Sequence, residues 1–175
     1  MEKQSVYNIA FKGLKEGNHI FEYHIGKAFF EPIENSLVEE AEVNVAITLE
    51  KRNTFMSLHI NIEGSVKLIC DRCLELYDQP VNNKARLIIK FSETVTDDTD
   101  DVMWLHPDVY QLNVAQIIYD YICLSIPLKH VHPVKKDGTS LCNPEMIKTI
   151  KAYSRPHEEK QDSRWDLLKN LLGKN

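Results

Sequence analysis

The sequence predicts an α+β fold: a β-rich antiparallel sheet or partial barrel with a covering helix and a helical C-terminal part. Three observations carry the prediction. The first ~95 residues hold successive short runs with the two-residue alternation of strands, residues 112–130 hold one long helical pattern, and the remainder is polar and ends in an amphipathic segment. A division into a β-rich unit with its covering helix, residues 1–128, and a loop and helical extension, residues 129–175, follows from that order.

"SVYNIAF" (5–11) and "HIFEYHI" (19–25) are β-branched and aromatic runs separated by "KGLKEGN", whose two glycines mark a loop. "AFFEPIENS" (28–36) offers a helical turn that Pro32 limits. "EVNVAITLEK" (42–51) and "TFMSLHINIEG" (54–64) alternate apolar and polar residues around an Arg52-Asn53 break, the pattern of a hairpin. "SVKLIC" (65–70) and "KARLIIKFSE" (84–93) then read as two further strands flanking a "YDQPVNN" turn. Consecutive hairpins favour an antiparallel sheet that curls toward a barrel over a parallel nucleotide-binding sheet.

The helix from Leu112 places Asn113 and Gln116 in the relation of a capping box, continues through Ile117, Ile118, Tyr121, Ile122 and Leu124, and stops at Pro127. Cys123 falls inside that pattern as a small buried hydrophobe. "NPEMIKTIKAY" (143–153) opens a second helix with Asn143 and Pro144. "SRPHEEKQDS" (154–163) has the composition of a linker, and "SRWDLLKNLLGKN" (163–175) that of an amphipathic helix led by Arg164 and Trp165.

With 175 residues and 43% hydrophobic composition the chain can bury one sizeable core. It has no run near the ~20 apolar residues that cross a bilayer, so a soluble cytoplasmic protein without a membrane or targeting segment is expected. The net charge of −5 argues against a simple electrostatic grip on nucleic acid, but it hides an asymmetry: residues 129–175 carry 10 Lys and Arg against 6 Asp and Glu, the rest 11 against 20. "SETVTDDTDDVMWLHPDVY" holds Asp97, Asp98, Asp100 and Asp101 with no Lys or Arg, either a solvated loop or a docking surface for basic protein.

Phosphate-binding loops, nucleophile elbows and H-E-x-x-H are absent, and an acid/base pair such as Asp120 with His106 reads as an ordinary surface acid and loop histidine. No catalytic residue and no small-molecule substrate are assigned. One chemical motif stands out. Cys70-Asp71-Arg72-Cys73 supplies half of a tetrahedral site, and "LKHVHPVKKDGTSLC" supplies His132 and Cys142, with His130 as the alternative ligand, for a closed Cys3His structural zinc centre. The competing readings are unliganded thiols beside a strand end and, on weaker structural ground, a redox pair.

The order of these motifs resembles a known family. A β-rich half, "CDRC", an acidic segment, "LNVAQIIYDYICLSIPLKHVHP", a later cysteine and a terminal "SRWDLLKNLL" are together similar to the YceD family, the large ribosomal RNA subunit accumulation proteins of bacteria and plastids, over roughly residues 45–172. The resemblance implies a non-enzymatic ribosome biogenesis factor that acts through ribosomal RNA or a large-subunit ribosomal protein. Cys70 and Cys73 fall on the family's C-x-x-C, and His132 and Cys142 fall where many members have further ligands. This chain departs from members with a complete second cysteine pair. On this reading Asp97, Asp98, Asp100 and Asp101 would hold a basic ribosomal protein. Lys135 and Lys136, together with Lys129, Lys148, Lys151 and Arg155, would contact RNA, and Arg164 and Trp165 would form a handle for a partner. The alternatives are an RNA-processing or RNA-modifying enzyme whose site the motifs do not reveal, and a protein–protein adaptor.

Overall fold

The computed structural model of the chain describes residues 2–94 and 101–154. A five-stranded sheet is its centre, in the order β2 (Gly17–Ile25), β3 (Ala41–Lys51), β4 (Phe55–Ile69), β5 (Leu76–Phe91), β6 (Val102–Leu105). The first four strands are antiparallel neighbours in sequence order, as consecutive hairpins require. Strict alternation gives the sheet one apolar face: Val43, Val45, Ile47 and Leu49 of β3 and Leu58, Ile60, Ile62 and Val66 of β4 are all at most 2% exposed. α2 (Ala115–Leu124) covers that face with Ile117, Ile118 and Ile122, and Asn83 of β5 donates to the Tyr121 carbonyl at 3.2 Å.

At one end of the apolar face, β1 (Asn8–Ile9) pairs with β7 (Leu112–Asn113), and α1 (Lys27–Phe30) adds Phe29 and Phe30 to an aromatic cluster with Tyr7, Tyr23 and Tyr119. α3 (Pro144–Tyr153) follows a loop after α2. Among the described residues no helix is long and apolar enough to cross a membrane.

The α+β class and the β-rich sheet are as expected, and four details differ. Of the two forms expected, sheet and partial barrel, the structure has the open sheet, with β2 and β6 as its edges. β6 runs parallel to β5, pairing Ile88–Phe91 with Val102–Leu105; four residues without alternation inside an acidic stretch carried no strand signal. "SVYNIAF" is mostly 3-10 helix (Glu2–Tyr7 and Phe11–Gly13), with only Asn8–Ile9 paired. "YDQPVNN" is not a turn but lies within β5: Tyr77 and Val81 face the core, and Pro80 is tolerated because β6 pairs only from Ile88 onward, leaving its nitrogen side without a partner strand. The capping box does not form. Asn113 Oδ1 accepts from Ala115 N at 2.9 Å, while Gln116 turns to Asp120 at 2.8 Å.

Candidate metal centre

The turn that joins β4 to β5 is the C-x-x-C stretch itself. The last ladder pair is Ile69 with Leu76, after which Cys70 N donates to the Glu75 carbonyl and Leu74 N to the Cys70 carbonyl, both at 2.9 Å. Closing the turn puts Leu74 in the left-handed region at φ 60°, which costs a side-chain-bearing residue about 1–2 kcal/mol. That strain fixes a knuckle with both sulfurs buried.

A second, smaller hairpin supplies the facing pair. Val134 bridges Ser140, Lys135 N donates to the Thr139 carbonyl at 2.8 Å, and Gly138 takes the φ of 84° that the reversal needs. His132 and Cys142 therefore stand at its open end. The two hairpins are tied by backbone and side chain: Asp71 N donates to the His130 carbonyl at 2.7 Å, and His130 N returns a bond to Asp71 Oδ2 at 2.7 Å. The His132 ring lies over Tyr77 with centroids 4.9 Å apart.

Cys70, Cys73, His132 and Cys142 consequently offer four donor atoms all within 4.8 Å of one another. Cys70 Sγ is 3.8 Å from Cys142 Sγ, and Cys73 Sγ is 3.3 Å from His132 Nδ1. A tetrahedral zinc with sulfur at about 2.3 Å spaces its ligands roughly 3.8 Å apart, so the donor set and its spacing fit such an ion. Burial pushes the Cys70 thiol up, but the amides of Cys73, Arg72 and His132 outweigh it and bring it down to about 6. Burial holds the Cys73 thiol above its ordinary value. Among the described residues no Lys or Arg contacts these sulfurs, so a bound cation is the group that would neutralise a set of thiolates here.

His130, the alternative ligand, stands outside this group and contributes its backbone. Cys123 lies on α2, half-buried and outside the group. The knuckle joins antiparallel strands and does not open a helix, unlike the strand-to-helix setting expected of a redox pair. Asp97, Asp98, Asp100, Arg155, Arg164 and Trp165 lie outside the described residues. Asp101 is exposed, and its carbonyl accepts from Ile88 N at 2.8 Å. Lys135 and Lys136 are exposed on the second hairpin, and among the described residues neither has a carboxylate within ion-pair distance. His106 pairs with Asp108 at 3.4 Å, not with Asp120.

Residues that sequence reasoning missed are those that hold the ligands. Asn143, next to Cys142, caps α3 by accepting from Glu145 N at 2.9 Å and also donates to Glu75 Oε1 at 2.8 Å. Its cap was legible; its tie to the knuckle was not. Asn143→Ala is expected to cost about 1–2 kcal/mol in urea unfolding, with Asn143→Asp, which keeps the cap and loses the donor, in between. A loss under about 0.5 kcal/mol would show that neither bond matters.

A groove of roughly 430 Å³ runs beside the knuckle, where Leu37, Ile69, Leu74 and Leu76 are exposed; Glu39, Glu40, Asp71 and Lys67 also line it, with Lys67 paired to Glu40 at 3.2 Å. A second depression, lined by Glu22, His24, Asn44, Asn61 and Glu63, is open on the solvent face of the sheet, and its histidine is taken by Asn44 and Glu42.

Residues 58–172 match the family model described as large ribosomal RNA subunit accumulation protein YceD. No curated protein and no solved structure matches the chain.

Proposed function

Because the chain belongs to the YceD family of large ribosomal RNA subunit accumulation proteins, we propose that it is a non-catalytic ribosome biogenesis factor, working in the cytoplasm by binding ribosomal RNA or a large-subunit ribosomal protein. The family membership is the observation that carries this reading. The site chemistry supports it. Four protein donors would fill the four positions of a zinc ion, the closed arrangement of structural zinc, and leave no position for a substrate or an activated water. The ion would supply a cross-link. Cys70 and Cys73 would hold it to the sheet, His132 and Cys142 would hold it to residues 129–143, and the helical extension would thereby be clipped to the β-rich unit.

On this reading Asp97, Asp98, Asp100 and Asp101 would present a basic partner with complementary charge, and Lys135, Lys136, Arg164 and Trp165 would add contacts from the extension. An adaptor role is favoured by one observation, the groove beside the knuckle with its exposed leucines.

The test is depletion of the protein from growing cells, followed by the ratio of large- to small-subunit ribosomal RNA. The ratio is expected to fall and to recover with the wild-type chain; an unchanged ratio would overturn the reading. Incubating the purified protein with precursor ribosomal RNA is expected to leave its ends and bases unaltered. New ends or modified bases would make it an enzyme.

A further inference from the structure

The apolar face of the sheet is spoken for by α2; the opposite face is open to solvent and unevenly charged. The cross-strand register sets His59 opposite Arg86 and Asn61 opposite Lys84, all on that face, and the parallel β5–β6 pairing sets Lys90 beside Trp104 on the same side. Lys84, Arg86, Lys90 and His59 are all exposed. Acidic side chains occupy the other half of the face: Glu22, Glu42, Glu50 and Glu63, of which Glu42 pairs with His24 and Glu50 with Arg52. Among the described residues none of Lys84, Arg86 and Lys90 has a carboxylate within ion-pair distance. Basic side chains therefore run along β5 from Lys84 to Lys90, six residue steps or roughly 20 Å at a strand's rise, with the half-buried Ile88 between Arg86 and Lys90.

Two details make the stripe more than scattered charge. Arg86 is anchored by its Nε, which donates to Ser57 Oγ at 3.0 Å; Ser57 is itself fully buried, so the guanidinium is held with its terminal nitrogens outward. An anchored guanidinium is a preorganised fork for a phosphate. At the end of the stripe Lys90 Nζ sits 5.5 Å from the centroid of the half-exposed Trp104 ring. An aromatic face beside a cationic track is the combination on which single-stranded nucleic acid binds: backbone phosphates follow the cations and a base stacks on the ring.

We propose that the β5–β6 half of the open sheet face binds single-stranded RNA, with Arg86, Lys84 and Lys90 on phosphates and Trp104 stacking a base. This deepens the biogenesis reading and rests on it for the choice of RNA. It assigns RNA contact to a surface distinct from the lysines of the C-terminal extension.

The test titrates a 12-residue oligouridylate into the full chain; the anisotropy of a fluorescein-labelled copy reads affinity, and the difference in tryptophan emission between the wild-type chain and Trp104→Ala, which keeps Trp165, reports Trp104. Binding is expected to quench that emission, and three phosphate contacts predict a slope of log affinity on log salt of about −2. Lys84→Gln with Arg86→Gln should flatten the slope by about 1.4, whereas the charge-matched pair Lys15→Gln with Lys27→Gln should leave it unchanged. Trp104→Ala should weaken binding on the order of tenfold and remove the share of the quench that comes from Trp104. Equal affinity of the two charge-matched pairs, or binding without quenching, would overturn the assignment. So would a wild-type chain that ignores RNA yet captures purified large-subunit ribosomal proteins through these same residues. The depletion experiment reads the biogenesis role independently: a normal phenotype there, with RNA bound here, would fault that reading and not the surface.

Discussion

Cys73→Ser is expected to empty the metal centre and to lower the melting temperature by about 8–16 °C in zinc-containing buffer. An ion that binds only the folded chain stabilises it by about 4 kcal/mol when free zinc is a thousandfold above the dissociation constant, and a chain of this size loses about 2–4 °C per kcal/mol. The loss has a place. Cys73 Sγ is 3.3 Å from His132 Nδ1, so removing it loosens the second hairpin, which the Asp71–His130 bonds, the Asn143–Glu75 tie and the packing of Met146 and Ile147 must then hold. Cys70, Cys73 and Cys142 belong to the same buried cluster as the side chains of β3, β4 and α2, but none of the four ligands lies on those three elements, so the β signal in far-ultraviolet dichroism should persist while the transition broadens or splits. Cys123→Ser serves as the control, since Cys123 stands outside the group and should keep one zinc per chain. Metal content by elemental analysis, beside calorimetry with and without chelator, decides the matter. Identical melting of wild type and Cys73→Ser, each indifferent to chelator, would leave four thiol and imidazole groups close together without a metal.

How much of this was legible depends on whether the signal was local. Alternation over Val43, Val45, Ile47 and Leu49 announced β3 because each inward residue is buried on the same face. The four centre residues were legible as types, since few side chains bind soft metals, but their convergence spans Cys70 to Cys142 and is a product of the fold. The supports were not legible: Asp71 reaches His130, and Asn143 reaches Glu75, across distances in sequence that carry no pattern. Nor was the basic stripe. Lys84, Arg86 and Lys90 look like the ordinary solvent side of an amphipathic strand until the register sets them opposite His59 and beside Trp104. Glycine and proline misled in the opposite direction, because the rule that they punctuate structure holds for the average site. Pro80 sits in a strand where its missing donor has no neighbour to serve, and Gly64 sits in the middle of one.

Gly64 is where the second large effect is expected. β4 runs without interruption through Gly64, which pairs with Val43 on one side and Val81 on the other, both buried. Here the absence of a side chain serves close approach, not chain reversal. A Cβ built at Gly64 would lie 2.2 Å from the Glu42 carbonyl oxygen and 2.7 Å from Val43 Cα, and its φ of 157° is one that side-chain-bearing residues rarely adopt. Both obstructing atoms are backbone of the adjacent strand, so no rotamer change can relieve the clash; β3 and β4 must part. Overpacking and backbone strain together put the cost of Gly64→Ala at about 3 kcal/mol, or about 6–12 °C in melting temperature. The damage should also travel. Gly64 lies six residues before Cys70 on the strand that delivers it, so a loosened β3–β4 ladder should hasten zinc loss to a chelator even though no ligand has been touched. Gly13→Ala is the comparison, because nothing lies within 4 Å of a Cβ there, and reduced freedom of the unfolded chain should leave it neutral or slightly stabilised. Urea unfolding of the two variants settles the point. If Gly64→Ala fell within about 0.5 kcal/mol of wild type, the two strands would not approach as closely at Gly64 as the register requires, and the continuity of β4 into the metal-binding turn would be wrong.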